Sequence, residues 1–441
     1  MRPYKVLLFI AACLSVLAIL CVVLPHKLEV GSRTLHWPSL AEVLDIEEQQ
    51  ADTIITDTIA EYAETPAPEP DTIAPAGSVV PKVQEPIPVV HVDTTSDSRV
   101  YLRSFYASLH QTGERKVRIV HYGDSQIEED RMTQQIREKM QSRYGGAGVG
   151  LMPLAQTIPS RTVHQELIVN GRKVSPQTLK RNIVYGPKRD QRSDGLYGVM
   201  GQVTIMNDSL VRGSEEITTI CTPLDAGPRY SRVKVWADSS VHYTAKGDTL
   251  FLSGRGGVYG LSQESPTGVI VDNIPMRGCM GNVFKRINAE QLQQFYAEEN
   301  VRLIIMQFGG NAIPSNEKPS TIQAIVAGLR EQVQYLHRCA PEASILFIGP
   351  SDMLTVIDGE KQTYPMVPYM DRLLRKMAKE EQIAYFSLYQ WMGGRGSMMR
   401  WQEIGLAGSD GVHFMRSGAR KAGNAVADWI LAGEDTVNSD L

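Results

Sequence analysis

The chain has 441 residues, of which 42% are hydrophobic and 21% charged, with a formal net charge of −4. That length allows one large domain or two ordinary ones with a sizeable core. The composition excludes a fully disordered chain, and the mild acidity excludes the strongly basic class of nucleic-acid binders.

From Val6 to Leu24 the sequence is almost entirely apolar, with Arg2 and Lys5 ahead of it. At about 1.5 Å per residue, the run reaches roughly 28 Å as a helix, close to the thickness of a hydrocarbon core. The flanking charges favour an inside N-terminus. Residues 1–27 are therefore read as a signal anchor that holds the protein to a membrane. Cleavage or lipidation is the alternative, since Ile10-Ala11-Ala12-Cys13 is similar to a lipoprotein box. Cys221, Cys279 and Cys339, the cysteines outside this run, are too few and too far apart for a disulfide framework or a metal site. They read as buried small hydrophobes.

Residues 28–97 read as an extended linker. Pro66, Pro68, Pro70, Pro75, Pro81, Pro86 and Pro88 rule out a continuous helix there. Folded sequence is expected from residue 98. Leu102, Phe105, Tyr106 and Leu109 fall on one helical face, and Val117 to Tyr122 form a short apolar strand. Gly123-Asp124-Ser125 follows, then a helix over 132–143. Residues 156–267 carry short alternating runs broken by Gly, Asn, Asp and Pro, the pattern of an antiparallel β-rich module. Apolar strands then alternate with amphipathic helices to the end of the chain. The expected fold is α/β: a three-layer α/β/α domain with a parallel sheet over 98–155 and 268–441, interrupted by a β-sandwich-like insertion.

Three short motifs carry chemistry. Ser125 lies at the C-terminal end of the first strand, where parallel sheets open into a crevice. Phe308-Gly309-Gly310-Asn311 ends a middle strand and offers an amide donor. Asp410-Gly411-Val412-His413 precedes the last helix; its spacing lets a carboxylate fix one imidazole nitrogen and leave the other as a base. Alone, each is a common turn or cap. Asp124 reads as a brace of the nucleophile turn and His121 as a packed strand residue.

The ordered set resembles the SGNH/GDSL hydrolases, whose blocks are GDS, a glycine, Gly-x-Asn and Asp-x-x-His. The glycine block falls in Arg277-Gly278-Cys279-Met280-Gly281-Asn282, with Gly281 the better match and Gly278 the alternative. The Gly145–Gly150 segment, the Gly393–Trp401 segment and the β-rich insertion narrow the resemblance to bacterial peptidoglycan O-acetylesterases, whose insert resembles a carbohydrate-binding module. Gln126 and Ala312 depart from that pattern, where histidine and aspartate are usual.

The resemblance implies a serine esterase with Ser125 as nucleophile, Asp410 and His413 completing the triad, and an oxyanion hole made by Ser125, Gly281 and Asn311. It implies an O-acetylated glycan as substrate and no metal or cofactor. Trp401, near the histidine in sequence, is the candidate for stacking on a sugar. With the anchor, it implies a bacterial inner-membrane protein whose catalytic domain faces the periplasm or the exterior. Two alternatives stand beside it: an O-acyltransferase acting on a polysaccharide, and a tethered glycan-binding protein on an inactive scaffold.

Overall fold

The computed structural model describes residues 97–206, 216–224 and 230–439, together with the backbone of two strands, Lys27–Val30 and Arg33–His36. These two strands pair antiparallel, Lys27 opposite His36. They lie in a compact unit of their own, and all but Lys27 fall in the stretch read as linker. The apolar run Val6–Leu24 lies outside the described residues, as does most of the linker. No described helix is long and apolar enough to cross a membrane.

Five strands form the central sheet: β1 (Lys116–Gly123), β2 (Gly268–Pro275), β3 (Val301–Gln307), β4 (Ser344–Ile348) and β5 (Ala384–Phe386). Their order is β2-β1-β3-β4-β5, and every neighbouring pair is parallel. Each residue of β1 and β4 is buried, as expected for strands covered on both faces. Alternation divides the apolar side chains between two cores. Val120, Tyr122, Ile304, Met306, Ile345 and Phe347 pack on one face. Val117, Ile119, Leu303, Ile305, Leu346 and Ile348 pack on the other.

Helices α1 (Arg103–Leu109), α2 (Thr133–Tyr144), α3 (Ala289–Glu298), α4 (Pro319–Cys339), α5 (Val367–Glu380), α6 (Leu388–Met392), α7 (Ser397–Glu403) and α8 (Arg416–Ser439) surround the sheet. α3, α4 and α5 bury residues in the first core, and α1, α2 and α8 in the second, which completes three layers. In α4, Ile322, Val326, Leu329, Val333 and Leu336 recur every three or four residues, one continuous apolar stripe. Pro319 opens that helix, where its missing N–H has no helical partner to lose.

Between α2 and β2 the chain builds two antiparallel sheets. One contains Arg232–Ala237, Gly256–Glu264, Gln202–Met206 and Arg181–Ile183, with Gly150–Met152 also paired to Gly256–Glu264. The other contains Val241–Lys246, Thr249–Gly254, Glu216–Pro223, Val163–Val169 and Arg172–Val174. Leu167, Ile217 and Leu252 from one sheet pack with Met206, Val258 and Leu261 from the other, in a shared core. The module begins earlier than residue 156, because Gly150–Met152 belongs to its first sheet. The chain returns beside its point of departure: Val269 N–H donates to the Gly145 carbonyl at 2.9 Å.

A buried charge network joins the module to the sheet. Arg118 on β1 is fully buried; its guanidinium meets Asp272 at 2.8 Å, Glu264 at 2.8 Å and Glu299 at 2.6 Å. Lys116 bonds Glu264 at 2.6 Å and also Glu299, which Lys234 of the module reaches as well. The rings of Trp236 and Phe295 lie 5.7 and 5.5 Å from the Arg118 guanidinium. Burying these charges together satisfies each of them; any one alone would be strongly disfavoured.

Candidate active site

Asp124 leaves β1 in an extended conformation and its side chain accepts the Gln126 N–H at 2.9 Å, capping the turn that starts at Ser125. A Cβ on Gly123 would lie 2.9 Å from the Ile127 side chain, so glycine lets the turn fold tightly against the strand end. Ser125 is held there, 3% exposed, with Oγ 2.8 Å from Nε2 of His413.

His413 comes from the loop before α8, 288 positions further along. Its Nδ1 donates to Asp410 Oδ2 at 2.6 Å. The other oxygen of Asp410 accepts the N–H groups of Val412 at 2.9 Å and His413 at 3.0 Å. Burial alone would raise the Asp410 pKa; these bonds outweigh it and hold the carboxyl below its usual value. An ionised Asp410 fixes Nδ1 as the protonated nitrogen and leaves Nε2 to accept from the Ser125 hydroxyl. The three residues thus form one unbroken chain of hydrogen bonds.

Asp124 differs from Asp410. Burial raises its pKa to about 6, offset in part by the Gln126 N–H and by the nearby His413. His121 lies within β1, away from this chain of bonds. It contacts Gln307 at 3.2 Å and Thr133 at 2.9 Å, and burial lowers its pKa to about 3, so it packs as a neutral ring.

Asn311 sits in the turn after β3, reached through Gly309 in the left-handed region (φ 117°). Its Nδ2 donates to the Cys279 carbonyl at 3.2 Å. A side-chain amide carries two N–H donors, so this bond leaves one for another acceptor. Among the described residues, the backbone N–H of Ser125 has no acceptor.

The glycine block departs from expectation. Gly281 is buried, its N–H is directed at Cys279 Sγ at 3.2 Å, and a Cβ there would lie 2.8 Å from both Leu329 and Phe308. It packs the loop, and its amide is already engaged. Gly278 is exposed with φ 70° and open space around its Cα, and its N–H has no acceptor among the described residues.

Trp401 also departs. It is 6% exposed and packs against Trp391 at 5.6 Å and Phe414 at 5.0 Å in the second core. The ring is buried among these aromatics, which leaves too little of it accessible to stack on a sugar. Proximity to the histidine in sequence reflects packing beneath the loop. Arg277 opens the glycine block, but the motifs gave no sign of Glu128 or of the pair the two residues form beside the site through two contacts of 2.7 Å.

No protein-family model matches the sequence, and no curated protein matches it. Among solved structures, the chain is similar to a peptidoglycan O-acetylesterase, with a TM-score of 0.60 and 20% identity over 80% of this chain and 99% of that one. It also has a partial likeness to an acetyl xylan esterase, with a TM-score of 0.26 and 13% identity over 37% of this chain and 80% of that one. A third likeness is to the periplasmic domain of a Salmonella ser. Paratyphi A lipopolysaccharide acetyltransferase, with a TM-score of 0.26 and 11% identity over 37% and 72%. The last two are too partial to bear on function. The first shows the fold: this chain shares the overall architecture of that peptidoglycan O-acetylesterase over most of both chains.

Proposed function

We propose that the protein is a serine esterase that removes O-acetyl groups from a cell-envelope glycan, with peptidoglycan the first candidate. The observation that carries this reading is the continuous Ser125–His413–Asp410 chain of bonds at the end of β1. Ser125 Oγ attacks the acetyl carbonyl as its proton passes to His413 Nε2, while Asp410 stabilises the resulting imidazolium. The oxyanion is held by Ser125 N–H, Gly278 N–H and the second N–H of Asn311, with Gly278 in place of Gly281 because its amide has no other acceptor. The C–O bond to the sugar then breaks, and His413 returns its proton to the leaving oxygen. Water, deprotonated by the same imidazole, releases acetate from the acetyl-serine.

The glycan assignment is supported by the likeness to the peptidoglycan O-acetylesterase across most of both chains. The apolar run Val6–Leu24 with its preceding positive charges supports a bacterial inner-membrane anchor, with the catalytic domain outside the cytoplasm. Acetate release from O-acetylated peptidoglycan tests the activity. The wild type should release acetate and Ser125→Ala should not; an active Ser125→Ala would overturn the reading. Acetyl transferred to a second glycan without free acetate would replace hydrolysis by transfer. Cell fractionation tests the location, and a soluble cytoplasmic protein would refute it.

A further inference from the structure

We infer that the Glu128–Arg277 ion pair is a positioning device for the oxyanion donors, an inference that rests on the serine-esterase reading above. The pair bridges 149 positions, linking the turn that begins at Ser125 to the loop that carries Gly278. Arg277 Nε and Nη2 meet Glu128 Oε1 and Oε2 at 2.7 Å each, a bidentate fork that fixes orientation as well as distance. Glu128 is 1% exposed, so its carboxylate depends on this partner.

The neighbours of Gly278 are tied to the other two donors. Arg277, on one side, is bonded to the Ser125 turn. Cys279, on the other, accepts through its carbonyl from Asn311. Gly278 itself has no side chain, a left-handed backbone and, among the described residues, no acceptor for its amide, so nothing of its own fixes the direction of its N–H. Upstream, Met276 N–H is pinned to the Gly123 carbonyl at 2.7 Å. The loop is therefore held to the end of β1 by a backbone bond, and its tip by the ion pair.

The turn also contains backbone strain. Glu129 and Asp130 adopt φ of 58° and 65°, the left-handed region unfavourable for side-chain-bearing residues. Such conformations are disfavoured for these residues and persist where the surroundings over-determine them. Here the surroundings are arginines. Glu129 meets Arg131 and Arg161, and Asp130 meets Arg137. Glu128 is the member of this acidic triplet that faces the donor loop. Stabilisation of a developing oxyanion requires donors already aimed, and misplacement by about 1 Å can lower the rate about 10²-fold.

The test is a double-mutant cycle in the full-length protein with Glu128→Gln, Arg277→Gln and the double variant, with Arg277→Lys as the conservative change. Each single variant should lower kcat for p-nitrophenyl acetate roughly 10- to 100-fold with KM unchanged. The double variant should be no slower than the worse single one. Binding of methaneboronic acid, which forms a tetrahedral adduct on Ser125, should weaken in step with kcat. Arg277→Lys, which keeps the charge but loses the fork, should fall between wild type and Arg277→Gln; it decides the matter if Glu128→Gln does not fold. Unchanged kcat, a change confined to KM, or effects that multiply in the double variant would each overturn the inference. Loss of activity in Ser125→Ala alongside normal Glu128 and Arg277 variants would sink this inference while sparing the esterase reading. Activity surviving in Ser125→Ala would sink the reading itself.

Discussion

The side-chain amide of Gln126 donates to the carbonyl of Val412 at 2.7 Å, tying the residue after Ser125 to the residue before His413. Its own oxygen is buried without a partner among the described residues. Gln126, one of the two departures from the esterase pattern, thus lies on the seam between the Ser125 turn and the His413 loop.

Gln126→Ala should leave the Val412 carbonyl without its donor, lower kcat for p-nitrophenyl acetate by about tenfold and reduce stability by about 1–2 kcal/mol. Gln126→Glu gives a sharper result. A protonated carboxyl can still donate to Val412, whereas a carboxylate cannot, so the variant should be closer to wild type at pH 5 than at pH 8. Equal damage at both values would show that the hydrogen bond is irrelevant.

Asp124 makes stability depend on pH in a defined direction. Its folded pKa, about 6, lies above the ordinary value of 3.8, so the folded state binds the proton more tightly. That contribution is fully present below about pH 4 and is lost as pH rises through 6. Asp124→Asn keeps an oxygen for the Gln126 N–H and removes the buried charge. It should gain on the order of 1–3 kcal/mol at pH 8 and nothing at pH 4, as read by urea unfolding at the two values. A gain of the same size at both would contradict the assignment.

The two glycines of the 277–282 loop should separate stability from catalysis. Gly281→Ala drives a methyl into Leu329 and Phe308 and should destabilise by about 1–3 kcal/mol. Gly278→Ala meets no neighbour, so its melting temperature should fall less. Asn311→Ala removes a proposed oxyanion donor as well as the Cys279 contact, and kcat should drop about 10²–10³-fold. Thermal melts beside initial rates distinguish these outcomes.

The network around Arg118 predicts a stability effect remote from the site. Glu299→Ala removes a shared partner of Lys116, Arg118 and Lys234, leaving buried positive charge uncompensated. A loss of about 3–5 kcal/mol is expected in denaturant unfolding, since breaking a buried pair from one side exposes its full desolvation penalty. A change below 1 kcal/mol would mean that the network is solvated.

The parallel sheet was legible because strands buried on both faces read as unbroken apolar runs, as from Val117 to Tyr122 and from Ile345 to Ile348. The amphipathic stripe of α4 was equally plain. Short strands such as Gly150–Met152 and Arg181–Ile183 were not, because three residues carry too little periodicity and their pairing is set by distant partners. The motif spacing pointed to Ser125, Asn311, Asp410 and His413 because each sits next to a strand end or helix start. The motif ranked Gly281 above Gly278, but both are glycines in one loop, and what distinguishes their amides is the Cys279 sulfur and the Phe308 ring beside Gly281. Trp401 misled because adjacency along the chain says nothing about which side of a loop a ring faces.

The hydrogen bond from Val269 to Gly145 makes the β-rich module a loop closed at its neck. A tight turn at that neck could shorten the polypeptide by more than a hundred positions without rethreading the sheet. Glu264 and Ser262 would leave with the excised segment, but so would Lys234, and Arg118 would keep Asp272 and Glu299. A shortened version of this protein would therefore keep a balanced set of two cations and two carboxylates there, and should retain arginine at position 118.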